Sequence, residues 1–354
     1  MPNLDRVKIT LKILMDISEI EFFRGKWQSG VNLPSEIVLN QLIRFATIES
    51  IGSSNRIEGN VLSDEQVDEI FDQIEINSFR NRDEQEVAGY ANIIKKIYDS
   101  YEDTPFSENF IKSFHKELMI FSDKDQYHKG NYKTVSNHVV STKDGEIQGI
   151  IFQTATPFDT PFMMEKLVQW TNENLEKKVH PLIIIGIFIV HFLAIHPFAD
   201  GNGRLSRLLT TFLMLKCGYS YVKCSSLESI IEANKIEFYK SIRATQMSIW
   251  NEAEVNYEPW LSFFINCLVI QKRRLEQKLK NLPKQDDAMK LTEKASHILS
   301  LFKPKVSLSV KQILELQTLQ IKYDALRKIL SNLVKHGYIL KKGTTKSTKY
   351  SLKS

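Results

Sequence analysis

PLIIIGIFIVHFLAI (residues 181–195) runs directly into HPFADGNGRLSR (residues 196–207), and the reading of this passage decides the fold. The first part carries no charge and a single polar side chain, His191, between flanking His180 and His196. As a helix it would cover about 22 Å against roughly 30 Å of bilayer hydrocarbon, so the spacing predicts a buried core helix and no membrane span. The second part is a loop, Asp200-Gly201-Asn202-Gly203, leading into a new helix that begins near Arg204. Two glycines let the backbone turn sharply and approach a bound group, and the helix N-terminus adds unpaired N–H donors and partial positive charge. Arg204 and Arg207, three residues apart, lie on one helical face and favour a phosphate. Asp200 is the kind of oxygen ligand that Mg²⁺ uses beside substrate phosphates, and His196 is placed as a general base. Singly, each has an ordinary reading, DGNG being most often a mere turn. Together, within twelve residues, they point to phosphoryl-group chemistry.

Outward from the passage the pattern is mainly α. Leu4 to Phe22, Pro34 to Ile51, Glu84 to Tyr101 and Ser107 to Phe121 show helical spacing, and Ser63 reads as the N-cap of a further helix. Tyr132 to Phe152 is rich in Val, Ile and Thr and is split by Lys143-Asp144-Gly145, which predicts a β-hairpin. Helical spacing resumes from Pro161 to Asn174, from Arg204 to Cys217, from Ile230 to Ser248 and from Pro259 to Leu282, and Trp170, Trp250 and Trp260 stand among core positions. Pro283 to Asp287 reads as a linker. Beyond it, three short helices and two strand-like runs around Gly343-Thr344-Thr345 follow the order of a winged helix-turn-helix. The expected domains are an N-terminal helical region (1–110), a core (111–282) and, after the linker 283–287, a basic winged-helix-like domain (288–354).

The chain of 354 residues has room for two or three domains and a globular composition without long polar tracts or repeats. Its three cysteines, Cys217, Cys224 and Cys267, form no CxxC pair, and no cleavable apolar segment opens the chain, so a reducing cytoplasm is the expected location. From Ala288 onward there are fourteen Lys and Arg against three acids, although the whole chain carries only +5. Such a tail fits nucleic acid or an acidic partner, with solvated surface lysines as the plain alternative.

From His196 to Arg207 the chain resembles the Fic-domain motif HPFxDGNGRxxR and matches it at every fixed position. The resemblance spans roughly residues 1–280 and implies a Fic-type helical core with a β-hairpin flap. It implies a protein adenylyltransferase: His196 deprotonates a Tyr, Thr or Ser hydroxyl of a target protein, which attacks the α-phosphate of ATP and releases pyrophosphate. By the same resemblance Asp200 holds Mg²⁺, and Asn202 with the amides of Gly201 and Gly203 binds the α- and β-phosphates. Arg204 would take the β-phosphate and Arg207 the γ-phosphate, with Leu205 and Ser206 in the same nucleotide-binding stretch. Phe238 and Tyr239 would line the adenine pocket, ordinary helix packing being the alternative. The hairpin 132–152 corresponds to the flap, which clamps the target by strand addition. The double proline that often follows the flap is here Thr154-Ala155-Thr156-Pro157.

Ser54 to Gly59, taken alone a plain helix end at glycine, matches the family's inhibitory motif [S/T]xxxE[G/N]. That match implies that Glu58 pairs with Arg207 where the γ-phosphate would bind, with Ser54 as the motif's first residue. Other readings stay open at this stage. The same glutamate serves AMP removal in some relatives, and UMP or phosphate could be the group transferred. The rival class is a DNA-binding regulator in which Ile321 to Lys335 is the recognition helix with Tyr323, Arg327 and Lys328 in the groove. Its wing lysines would be Lys341, Lys342, Lys346 and Lys349, and a basic module that docks a protein is the alternative. A homodimer, common among relatives, is not legible in the sequence.

Overall fold

Helices follow one another along most of the chain. The computed structural model describes residues 2–30, 33–74, 79, 81–123, 127–143, 146–177, 179–281, 292–303, 306–335, 337–343 and 348–352, with the backbone alone at 139–151 and 293. After a 3₁₀ turn at Leu4–Arg6 come α1 (Leu11–Gln28), α2 (Glu36–Ile57), α3 (Asp64–Asp72), α4 (Arg82–Ser100) and α5 (Glu108–Leu118). Ser63 starts α3 with a capping box, its side chain accepting from the Gln66 N–H while Gln66 accepts from the Ser63 N–H. Ser107 caps α5 by accepting from the Phe110 N–H. An antiparallel hairpin, β1 (Val139–Lys143) and β2 (Glu146–Phe152), precedes α6 (Thr160–Glu176), α7 (Pro181–Ile195) and α8 (Asn202–Lys216). Then follow α9 (Glu228–Ala233), α10 (Lys235–Gln246), α11 (Glu258–Lys280) and α12 (Glu293–Ser300). The chain closes with β3 (Leu308–Ser309), α13 (Val310–Leu316), α14 (Tyr323–Lys335), β4 (Ile339–Lys342) and β5 (Lys349–Leu352).

Two compact units result, one of Met1–Gln28 with Thr47–Lys272, the other of Ser29–Ala46 with Arg273–Ser354. The first is built around α7. Every residue from Leu182 to Ile195 is buried, as the absence of charge along that helix requires. α6, α8 and α10 pack on it, and Trp260 of α11 donates from its indole to the Gly186 carbonyl at 2.6 Å. A Cβ at Gly186 would meet Leu261 and Phe264, so the missing side chain is what lets α11 approach. Phe106 and Phe110, before and in α5, meet Phe188 of α7 and Phe212 of α8 at ring separations of 5.1 and 4.3 Å. No described helix is long and apolar enough to cross a membrane.

The second unit has its own core of Ile298, Leu299, Phe302, Ile313, Leu326, Leu330, Leu333 and Ile339, with Ile37 of α2 packed against it. Its elements run helix, strand, helix, helix, strand, strand, and the strands form one antiparallel sheet in the order β3-β5-β4. Ser309 caps α13 with a second capping box.

Three expectations need adjustment. The strands of the hairpin begin at Val139, because Lys133 and Asn137 in the segment before it are bonded to the loop that follows α7. The helix expected over 230–248 breaks at Asn234, whose side chain donates to the Ile230 carbonyl and whose ψ of 31° leaves the helical range. Trp260 is buried and Trp170 half-buried, but Trp250 is 43% exposed. The turn at Asp144-Gly145, the linker 283–287 and the wing residues Thr344 to Lys346 lie outside the described residues.

Candidate active site

α7 ends where the chain turns left-handed. His196, its C-cap, has φ 52° and ψ 60° while its N–H still donates to the Phe192 carbonyl. A residue other than glycine holds that conformation only when its surroundings impose it, and here nearly every carbonyl around it is held. The Lys133 ammonium donates to the Ile195 carbonyl at 2.8 Å, to Asn137 Oδ1 at 2.8 Å and to Thr154 Oγ1 at 3.0 Å. The Lys133 N–H donates to the Pro197 carbonyl at 2.8 Å. Asn137 Nδ2 donates to the carbonyls of His196, at 3.1 Å, and Phe198, at 2.6 Å. The Asn202 side chain accepts from the Phe198 N–H and donates to the Phe198 carbonyl, closing the loop on itself. His115 lies flat on the Phe198 ring at 3.8 Å and accepts the Gly130 N–H at Nδ1. Its Nε2 must therefore carry the hydrogen that it donates to the Asp200 carbonyl at 3.0 Å.

The same logic fixes His196. Its Nδ1 stands 3.3 Å from the Leu193 carbonyl, which can only accept, so Nδ1 is the protonated nitrogen and Nε2 keeps its lone pair. Burial pushes this imidazole down to about 4, and the Lys133 ammonium adds to the effect, against the Leu193 carbonyl and the carboxylates of Glu58 and Asp200. At neutral pH it is an uncharged proton acceptor.

Beyond the turn, Gly201 at φ 78° is the N-cap of α8. The N–H groups of Asn202, Gly203 and Arg204 belong to its first turn, where a helix has donors without intrahelical partners. Leu205 is wholly buried, and the Ser206 hydroxyl donates back to the Gly203 carbonyl at 2.7 Å, so these two side chains build the helix and leave the anion site to their neighbours. Arg204 is 2% exposed, yet its Nε and Nη1 make no hydrogen bond; Glu86 stands 3.4 Å from Nη1 and Asp200 3.6 Å from Nη2. Buried guanidinium donors without acceptors are costly unless a ligand supplies oxygens. The Asp200 carboxylate, 45% exposed at the loop, has Arg82 3.4 Å away and accepts the Gly201 N–H.

Arg207 is buried on α8 and reaches the end of α2. Its Nε donates to Ser54 Oγ at 2.8 Å, and its Nη2 donates to the Ser54 carbonyl at 2.9 Å and to Glu58 Oε1 at 2.8 Å. Glu58 is the last residue before a reversal at Gly59, where the N–H of Asn60 bonds the Asn55 carbonyl and that of Gly59 the Arg56 carbonyl. Arg56 pins this helix end through Glu232 at 2.7 Å and Asp64 at 3.0 Å. A Cβ added at Gly203 would overlap the Glu58 carboxylate. That carboxylate therefore lies over the N-terminus of α8, where the dipole and Arg207 together favour an anion.

A family model for the Fic/DOC family matches residues 105–214, which contain α5, the hairpin, α6, α7, the loop and most of α8. The chain carries a Fic/DOC family domain. A protein adenylyltransferase Fic of Drosophila virilis is 26% identical over 162 residues, covering 45% of this chain and 30% of that protein. The chain thus spans under a third of that relative's length. The crystal structure of a Fic family protein from Desulfovibrio desulfuricans G20 aligns with a TM-score of 0.62 at 20% identity over 98% of each chain. A Fic domain containing signaling protein from Bacteroides thetaiotaomicron aligns at 0.60 and 24% identity, over 74% of this chain and 97% of that one. These likenesses place the fold as a mainly helical Fic fold.

Around the Fic/DOC domain the remaining expected residues divide. Phe238 is packed between Trp260 and Phe263, with ring separations of 5.9 and 6.0 Å. Tyr239 is half-exposed, and its hydroxyl is pushed up by burial and then by the Glu58 carboxylate, which sets it at the Glu58 and Arg207 end of the site. The hairpin is tied at its base by Trp250, which donates to the Gln153 carbonyl at 3.1 Å and stacks on Phe152. Sequence reading missed Lys133, Asn137, Thr154 and His115. Lys133, Asn137 and His115 reach the end of α7 and the loop from elements distant in sequence, Thr154 joins them through the Lys133 ammonium, and only their placement in three dimensions marks them. Also missed was Glu228, a buried carboxylate that accepts from the Tyr90 hydroxyl at 3.1 Å and is pushed up by burial.

His191, bonded through Nε2 to the Tyr257 hydroxyl at 2.9 Å, is pushed by burial down to about 3 from an ordinary 6.5. A native value below the unfolded one gives stability that is complete above pH 6.5 and is lost as pH falls toward 3. By about pH 4.5 this residue alone should remove about 2–3 kcal/mol. Calorimetry of the wild type should therefore show Tm falling over that range, and His191→Gln should lose less. Parallel curves for the two proteins would contradict this account.

Proposed function

We propose that the chain is a protein adenylyltransferase that moves AMP from ATP to a Tyr, Thr or Ser hydroxyl of a target protein, and that Glu58 holds it at rest. The observation that carries this reading is the Glu58 carboxylate over the N-terminus of α8, paired with Arg207 at 2.8 Å in a site fitted to phosphate. In the active state the nucleotide phosphates would take that position, with Arg204 supplying its unmet donors and Arg207 the outer phosphate. Asp200 would hold Mg²⁺, which supplies positive charge against the phosphates. The target hydroxyl, clamped along the hairpin, gives its proton to His196 Nε2 while its oxygen forms the bond to the α-phosphorus; the bond to the β-phosphate oxygen breaks and pyrophosphate leaves. Asn202 acts through its main-chain N–H, since its side chain closes the loop. Tyr239 is the better placed of the two aromatics to meet the adenine, with Phe238 behind it.

The test is to incubate wild type, Glu58→Gly and His196→Ala with Mg²⁺ and ATP labelled separately at the α- and γ-phosphates. Transfer of the α-label alone, strongest in Glu58→Gly and strongly reduced in His196→Ala, supports the reading; transfer of the γ-label would make the group a phosphate. Labelled UTP distinguishes UMP transfer, and an AMP-modified protein as substrate tests the reverse reaction.

A second activity is favoured by the basic face of the C-terminal unit, which we take to be a winged helix that binds duplex DNA. Tyr323, Arg327 and Lys328 are exposed on α14, and Lys341, Lys342 and Lys349 on β4 and β5. Lys346 lies outside the described residues. Fluorescence anisotropy of the full chain with duplex DNA should show affinity falling steeply with salt, and Lys341→Ala with Lys342→Ala should lower the log–log slope by about 2. Salt-insensitive binding or none would leave a protein-docking module.

A further inference from the structure

We infer that Lys133 is a positioning residue for the transfer: its buried ammonium holds the left-handed turn that presents Nε2 of His196. The inference rests on the reading of His196 as the base. Lys133 is 4% exposed, and the acceptors of its ammonium are a main-chain carbonyl, an amide oxygen and a hydroxyl, none of them charged. A buried ammonium without a carboxylate is expensive, and burial lowers this one to about 8. A fold seeking stability alone would place an apolar side chain there.

What the lysine holds gives its presence a reason. Its ammonium fixes the Ile195 carbonyl directly, its own N–H fixes that of Pro197, and Asn137, oriented by the same ammonium, fixes those of His196 and Phe198. Three of these four consecutive carbonyls thus depend on one side chain and its partner, and the fourth on the main chain of the same residue. They carry the φ of 52° at His196, which in turn sets Nδ1 against the Leu193 carbonyl and leaves Nε2 as the acceptor. Thr154, just past the hairpin, shares the ammonium and ties the hairpin base to the same point. The charge has a second effect. Three charged groups act on the imidazole: the Lys133 ammonium opposes its protonation, and the carboxylates of Glu58 and Asp200 favour it. Without Lys133 burial alone opposes the carboxylates, and the base both loses its aim and takes up a proton more readily than in wild type.

Nitrogen and proton NMR of histidine-labelled full chain, with His196 assigned by its loss in His196→Ala, tests this. Wild type should show a neutral, Nδ1-protonated His196 whose Nε2 takes up no proton down to about pH 5. Lys133→Met should give mixed tautomers and a titration raised above that of wild type, and Lys133→Arg, which keeps charge and donors, should restore both properties. Where transfer is measurable, Lys133→Met should lower kcat by about 10²-fold with KM for ATP within about twofold, since the phosphate cradle is untouched. Should Lys133→Met fail to melt cooperatively, Asn137→Ala is read in its place, with tautomer mixing again expected. A His196 tautomer and titration unchanged in the folded variant overturn the inference. A wild type that transfers nothing, yet whose His196 responds to Lys133 in this way, refutes only the AMP-transfer reading.

Discussion

Replacing His196 by alanine is expected to lower AMP transfer by about 10²- to 10⁴-fold while KM for ATP stays within about twofold. The magnitude is that of a lost general base. The imidazole is neutral, its Nδ1 is committed to the Leu193 carbonyl, and Nε2 is the atom left to accept the proton of the attacking hydroxyl. On the proposed reading the phosphate contacts would come from α8 and be left untouched, so nucleotide binding should persist and a residual rate should remain from positioning alone. Stability should fall by about 1 kcal/mol at most, because histidine tolerates the left-handed region better than alanine does. A companion measurement is the acid limb of wild-type activity. Because the imidazole is held at about 4, transfer should stay level from neutral pH down to about 5 instead of declining through 6.5. Near-wild-type transfer by His196→Ala would remove this residue from the chemistry.

Much of this site is readable in the sequence because its parts are consecutive. The passage from Pro181 to Arg207 contains the apolar helix, the glycine turn and the two arginines, and local chemistry alone dictates a buried helix, a sharp loop and a fresh helix N-terminus. The pairing of Glu58 with Arg207 is legible only through the resemblance of Ser54 to Gly59 to a known motif, since nothing local joins positions so far apart. Lys133 and His115 show where sequence reading stops. A lysine after Gly130-Asn131-Tyr132 looks like a solvated surface residue, and a histidine in an amphipathic helix looks like a core member. Their roles come from the carbonyls they meet, which only the packed chain brings near. The hairpin boundary differs for the same reason: Val, Ile and Thr content describes strand propensity, while Lys133 and Asn137 are held by tertiary hydrogen bonds. At Asn234 a single side chain bonding back to the Ile230 carbonyl outweighed helical periodicity on both sides.

Glu58→Gly is expected to raise AMP transfer by about 10- to 100-fold, the equivalent of the 1.5–3 kcal/mol of a hydrogen bond between charged groups. The carboxylate pairs with Arg207 and lies against Gly203, so on the proposed reading it would compete with phosphate for Arg207 and for the N-terminus of α8. Removing it leaves Arg207 with its two bonds to Ser54, so the guanidinium keeps its place while one of its anionic partners is gone. The variant should therefore be less stable than wild type without nucleotide, and MgATP should raise its Tm by more than it raises that of wild type. Arg207→Ala placed on the Glu58→Gly background should abolish the gain, since the released site is then missing its cation. Ser54→Ala should raise transfer by less than about fivefold, because the Ser54 carbonyl still holds Nη2 and Glu58 still pairs with it. The ordering Glu58→Gly above Ser54→Ala above wild type separates competition for the anion site from a general loosening of α2. Loosening would make the two substitutions equivalent and would leave the response to MgATP the same in both.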